Sequence, residues 1–242
     1  MEDGAGVGGS SVLVIGGSSG IGLATARLAL EAGAEVAIAG RNAERLAEAA
    51  RTLGKSVRSF AVDAKDAEQV GRLFADLGEL THAVVLAGEQ PVGAVRDTDL
   101  GYFHQAMDAR FWGALHVCRY GGPVIEPGGS ITLCSGVIAH RPVPGRALGT
   151  ASTAAVEALG RAMARELSPV RVNTIVPGPI DTPMLRRFFG GDEAELHARL
   201  KGRVPVGRVG RPDEVADAIL FLMGNRFVTG VTLPVDGGFL VS

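Results

Sequence analysis

Much is scarce in this sequence. Among 242 residues there are two cysteines, Cys118 and Cys134, far apart and each in an apolar segment. That excludes a disulfide scaffold and fits reduced, buried thiols, hence a cytoplasmic protein. His82, His104, His116, His140 and His197 stand at no metal-ligand spacing with Cys or acid, so no metal is expected. Aromatics make up 5% of the chain and form no cluster for stacking bases, and no basic run occurs. With a net charge of −2, the chain has no nucleic acid among its expected partners. No apolar stretch is long enough to span a bilayer, and Met1 to Ser11 is Gly-rich with no charged-then-apolar leader. The residues that remain are 46% apolar, enough for one full core. The expected organisation is a flexible N-terminus over 1–11 and one domain over 12–242.

The chain is organised around Val12-Leu13-Val14-Ile15-Gly16-Gly17-Ser18-Ser19-Gly20-Ile21-Gly22. Four apolar residues, three of them β-branched, read as a buried strand. After the glycine turn, Ile21, Ala24, Thr25 and Leu28 recur at helical spacing. Strand, glycine turn and helix open a dinucleotide-binding βαβ unit. Gly16 suits a tight reversal, Gly20 a close approach to a diphosphate, and Gly22 close packing of helix on strand. The helix N-terminus offers free N–H groups to phosphate, and Ser18 and Ser19 can add hydroxyls. The plain alternative is an ordinary Gly/Ser turn.

Further strands are expected at Glu35–Gly40, 57–62, 82–87, 128–135, 170–176 and 231–235. Helical stripes alternate with them. Val70, Leu73, Phe74 and Leu77 form one, a long helix runs over 98–119, and Val156, Leu159, Met163 and Leu167 form another. Val215, Ala218, Ile219 and Leu222 form a last one, opened by Pro212. Asn42 and Gly54 read as the caps of the helix between them. Such alternation predicts an α/β, Rossmann-like, doubly wound and mostly parallel sheet with helices on both faces, in a single domain. Where NAD-preferring folds carry an acid after the second strand, this chain has Gly40 and Arg41. A guanidinium can bind a 2′-phosphate, so NADP is expected over NAD. Otherwise Arg41 is a solvated surface arginine.

The spacing G-x-x-x-G-x-G resembles the short-chain dehydrogenase/reductase family, with Ile15 where that pattern has Thr. The resemblance extends through Ala87-Gly88, Pro177-Gly178-Pro179-Ile180-Asp181-Thr182 and the ending T-G-V-T-L-P-V-D-G-G. It implies that Asp63 and Ala64 line the adenine and that Ala87 and Gly88 pass the cofactor ribose. It further implies that Pro177 and Gly178 belong to the cofactor site, and that Ile180 by its backbone and Thr182 by its hydroxyl hold the nicotinamide carboxamide. The segment from Pro183 to Arg203, with Phe188 and Phe189, resembles a variable lid and suggests an apolar small-molecule substrate. A homotetramer or homodimer through the two long helices and the last strand is implied as well.

The family's proton chemistry is where this chain departs. A Tyr four residues before a Lys does that work there, with a Ser and an Asn in support. No Tyr-x-x-x-Lys occurs here. Ser152-Thr153-Ala154-Ala155-Val156-Glu157 registers on S-K-A-A-V-E, which sets Gly149 at the Tyr and Thr153 at the Lys. The Ser position becomes Gly136, beside Ser135, and the Asn position becomes Arg110. Arg110 could stabilise an oxyanion and Ser135 could hydrogen-bond a carbonyl. His140, Arg141 and Arg146 lie on the loop before Gly149, and histidine titrates in a useful range. Two expectations stand. One is an NADP-dependent oxidoreductase of a small carbonyl or alcohol working by a non-standard mechanism. The other is an inactive or non-redox protein on the same scaffold: a cofactor-binding regulator, a partner subunit, or a cyclase or isomerase.

Overall fold

Ser11–Ile15 forms the first strand, β1, and its side chains divide between two interiors. Leu13 and Ile15 enter one core, Val12 and Val14 the other, and none is more than 1% exposed. A strand buried on both faces reads as a continuous apolar run. The computed structural model describes residues 6–88, 92–188, 200 and 202–242. After β1 come α1 (Gly20–Glu31), β2 (Glu35–Gly40), α2 (Ala43–Leu53), β3 (Arg58–Ala61) and α3 (Ala67–Leu77). Then follow β4 (Leu80–Val85), α4 (Leu100–Met107), α5 (Gly113–Gly121), β5 (Ile125–Cys134) and α6 (Ala147–Glu166). The chain closes with β6 (Arg171–Pro177), α7 (Pro183–Phe188), α8 (Pro212–Gly224) and β7 (Thr232–Val235).

The described strands form one sheet in the order β3-β2-β1-β4-β5-β6-β7, and every pairing is parallel. Parallel neighbours need crossovers, and these put helices on both faces. Helices α1, α2 and α8 bury Ala29, Leu46, Ile219 and Leu222 against one face. Helices α3, α5 and α6 bury Phe74, Val117 and Val156 against the other. Full burial of each large side chain contributes about 1.5–3 kcal/mol relative to exposure. Asn42 caps α2 by accepting the Arg45 N–H at 2.8 Å, Gly54 ends it at φ +125°, and Pro212 opens α8.

Some expectations need correction. The helix expected over 98–119 is not continuous: α4 and α5 are separated by a π-helical turn at Asp108–Trp112. One wide turn inside an α-helix leaves no period for sequence to display. In α1 the residues that are buried are Gly22, Ala24, Thr25, Ala26 and Ala29, while Ile21 and Leu28 are half-buried. The helix lies so close to the sheet that small residues make the contact. Within the lead expected to be flexible, Val7 is buried at 3% exposure and Gly9 donates to the Gly33 carbonyl at 2.9 Å. The lid residues Phe189 and Leu196, His197 and the side chain of Phe188 lie outside the described residues.

At the end of the sheet away from the glycine turn, His82, Ser130 and Arg171 sit side by side on β4, β5 and β6. His82 Nδ1 meets Ser130 Oγ at 2.9 Å. Burial first, then the Arg171 and Arg226 charges, push the His82 pKa down to about 4. The unfolded chain therefore takes up a proton near pH 6.5 that the native state refuses until about pH 4. Stability held by neutral His82 is full above pH 6.5 and is lost as pH falls toward 4. Urea melts are expected to lose about 2 kcal/mol from this group between pH 7 and 5. His82→Gln is expected to flatten that slope, and an unchanged slope rules the assignment out.

Candidate active site

The strand order reverses between β1 and β4, and outside the carboxyl ends of the strands there lies a cavity of about 1010 Å³. A crevice forms there because the connections leave in opposite directions. Gly16, Ser18, Ser19, Gly20, Ile21 and Gly22 form its floor beside β1. Gly16 adopts φ +91°, a conformation for which glycine is the default residue. A Cβ at Gly22 would come within 2.1 Å of the Gly16 carbonyl oxygen. Glycine at 22 is thus what lets α1 begin directly on the end of β1. The α1 N-cap, Ser19, makes no side-chain cap bond, and the first turn carries no acid. Helices α2 and α3, by contrast, are capped by Asn42 and Asp66. The first amides of α1 thus face the cavity without a side-chain acceptor, the arrangement that suits a diphosphate.

Arg41, Asp63 and Ala64 line the cavity beside β2 and β3, joined by Arg45 and Lys65, which sequence reasoning did not single out. Asp63 also holds the local turn, its Oδ1 accepting the Lys65 N–H at 3.1 Å. Ala87 and Gly88 line it after β4, and Pro177, Gly178, Ile180 and Thr182 after β6. The Thr182 hydroxyl oxygen accepts the Leu185 N–H at 3.2 Å, so it also caps α7. The residues expected to hold a dinucleotide therefore surround one space of suitable size.

The positions expected for chemistry divide. Arg110, Ser135 and Gly136 line the same cavity, whereas Gly149 and Thr153 do not. Gly149 is buried in α6. Thr153 is fully buried, and its Oγ1 lies 2.7 Å from the Gly149 carbonyl and 2.9 Å from that of Thr150. Neither offers a proton or a charge to the space.

Arg110 is the cation that the π turn turns inward. It is 6% exposed. Its Nη1 donates to the Cys134 and Ser135 carbonyls at 3.3 and 3.4 Å, and its Nε finds no partner among the described residues. Those bonds are long, and none reaches an acid. The guanidinium lies over Gly88, where a Cβ would sit 3.0 Å from Cζ. Burial pulls the Arg110 pKa down from its usual value, and the nearby Cys134 thiol offsets part of this. Burial likewise raises both thiols, Cys118 to about 12, so the cysteines stay protonated.

Sequence reasoning missed Glu157. It is buried on α6, 2.6 Å from Ser135 Oγ and 3.0 Å from His140 Nε2. Its last place in the S-T-A-A-V-E stretch was a signal only of helix. Among the described residues no group of His, Cys, Asp and Glu could hold a metal, and no helix is long and apolar enough to cross a membrane.

Known proteins share this fold and much of this sequence. A family model described as Enoyl-(Acyl carrier protein) reductase matches residues 15–240. The short-chain dehydrogenase/reductase malC of Malbranchea aurantiaca is 34% identical, over 96% of this chain and 95% of its own length. The solved structure named MalC Reductase/Diels-Alderase superposes with a TM-score of 0.90 at 31% identity, covering 98% of each chain. A small-chain dehydrogenase in complex with NADPH gives 0.84 at 32% identity, covering 97% of this chain and all of its own. The Inactive 2-(S)-hydroxypropyl-CoM dehydrogenase 2 of Xanthobacter autotrophicus is 32% identical over 88% of this chain and 98% of its own.

The Gly22 contact yields a test. Gly22→Ala is expected to cost about 1–3 kcal/mol, because a methyl group must displace the backbone of Gly16. Urea unfolding measures it, and a neutral result contradicts the close approach of α1 to β1.

Proposed function

This chain belongs to the short-chain dehydrogenase/reductase family, and on that footing we propose that it binds NADPH and reduces a small carbonyl compound, or oxidises the alcohol, without a Tyr–Lys pair. The observation that carries the reading is a buried guanidinium, Arg110, lining the same cavity as the glycine turn. The α1 N-terminus would hold the diphosphate, and Arg41, with Arg45 near it, the 2′-phosphate. Asp63 and Ala64 would flank the adenine, and Ile180 and Thr182 the carboxamide. The NADPH complex of a relative supports that cofactor. When bound, NADPH would supply the hydride. The protein's part is to hold the carbonyl in line, which itself removes much of the barrier. The Arg110 guanidinium would then donate to the carbonyl oxygen as negative charge gathers there, and low polarity around it would strengthen the bond. The apolar character expected of the substrate rests on lid residues outside the described set. We read the protein as cytoplasmic, and as a dimer or tetramer through the α4–α5 stretch, α6 and β7. Trp112 at 45% exposure and Phe227 at 100% suit such contacts.

A second reading, a non-redox or inactive protein on this scaffold, has one observation in its favour. Gly149 and Thr153 leave α6 with no acid or base toward the cavity. Relatives named as inactive, and as both reductase and Diels–Alderase, show where such a scaffold can go.

Nicotinamide fluorescence separates the possibilities. NADPH is expected to bind, and Arg41→Ala to weaken it about tenfold to a hundredfold while NADH changes little. Silence toward both nucleotides at millimolar levels defeats the reading. With a panel of activated ketones, Arg110→Ala is expected to lower turnover about a hundredfold to a thousandfold while NADPH affinity holds. Binding without turnover selects the second reading.

A further inference from the structure

We propose that Ser135, Glu157 and His140 form a proton relay from the cavity wall to solvent, doing here what a tyrosine does elsewhere in the family. The inference rests on the oxidoreductase reading and adds the path of the proton. Ser135 lines the cavity and is 3% exposed. Its Oγ lies 2.6 Å from Glu157 Oε1, and the same oxygen lies 3.0 Å from His140 Nε2. Side-chain exposure is 7% for Glu157 and 43% for His140, so the chain starts inside and ends in water. Three separate segments supply it: the end of β5, the loop after it, and the third turn of α6.

Hydrogen counting shows that the chain can pass a proton. The Ser135 hydroxyl has one hydrogen but two acceptors within reach, Glu157 Oε1 and the Thr153 carbonyl at 3.1 Å. In one arrangement Oγ–H donates to Oε1. In the other, Oγ–H donates to the Thr153 carbonyl, a proton on Oε1 donates to Oγ, and His140 Nε2–H donates to Oε1. The second holds one proton more than the first, the one that His140 passes inward from water. Among the described residues His140 is also the one cationic partner of Glu157. A carboxylate buried with so little company is costly as mere scaffolding.

In the reducing direction the substrate oxygen keeps the electron pair of the broken C=O π bond. That oxygen takes the hydrogen of Ser135 Oγ as the hydroxyl turns toward the cavity. Oγ takes a proton from Glu157 Oε1, Oε1 takes one from His140 Nε2, and His140 regains one from water. Oxidation runs the same path backward. Arg110 and the relay then divide the work, with charge stabilisation from one wall and the proton from another.

The test has one arm that needs no turnover. With 15N-histidine-labelled protein, the His140 ring nitrogens are assigned from His140→Gln. Ser135→Ala and Glu157→Gln are both expected to shift the His140 Nε2 signal, although Ser135 reaches His140 only through Glu157. A signal indifferent to Ser135→Ala overturns the relay. The second arm follows NADPH oxidation with trifluoroacetophenone. His140→Ala and Glu157→Gln are expected to slow it at least tenfold with NADPH affinity unchanged, and added imidazole to restore His140→Ala. NADPH binding with a rate indifferent to His140 overturns the relay alone, whereas NADPH binding with no turnover in the unaltered protein overturns the oxidoreductase reading and the relay with it. Failure to bind NADPH overturns the parent reading and the relay with it.

Discussion

The approach of α1 to the end of β1 governs everything built above the sheet. Gly22 and the Gly16 carbonyl are too close for any side chain between them. That contact sets the first turn of α1 directly over the strand end, with its amides turned to the cavity. The rest of the cavity is then a matter of topology. Parallel strands deliver their carboxyl ends to one edge, and each βα connection contributes a short piece of wall. Arg41, Asp63, Ala87 and Pro177 come from four different strand ends and meet because the strands are in register, not because they are near in sequence.

Electrostatics divides that cavity into two ends. Arg41, Arg45 and Lys65 line the end beside β2 and β3, and all can face solvent when no ligand is present. Arg110 lies at the other end, under cover, and cannot. A buried guanidinium with long bonds to two carbonyls is only partly solvated by the protein. Strain or desolvation of this kind is tolerated where it serves a ligand.

How much of this could be read beforehand depended on range. β2 and the α2 caps were visible residue by residue, because their signals lie within a few positions of each other. The glycine turn and the strand ends after β4 and β6 were visible because local spacing carries them. What was hidden depends on distant partners or on backbone geometry without a composition. The π turn at Asp108–Trp112 has no glycine or proline to mark it, yet it decides where Arg110 points. Glu157 looked like one more polar residue on a helix, since its partners lie 22 and 17 residues earlier. Arg171 carried no local signal of its role, which is to donate its guanidinium to the Leu222 and Met223 carbonyls at the end of α8.

Fold alone does not decide what such a cavity does. Where a Tyr and a Lys stand on one helix face, the proton donor and the charge that tunes it are neighbours on a single rigid element. Here that face is closed: Thr153 turns its hydroxyl back on its own helix, and Gly149 brings nothing. The helix still contributes, one turn further on, through Glu157. In the proposed site the charge stands on the π turn and the proton path leaves through the loop after β5. A site spread over three elements depends on their relative positions more than a helix-borne pair does. The tight packing of α6 on the sheet, with Val156 1% exposed and Gly160 so close to Thr174 that a Cβ would lie 2.3 Å from its hydroxyl, holds those positions. Rigidity that a pair on one helix would get from the helix itself is thus supplied by the core beneath it.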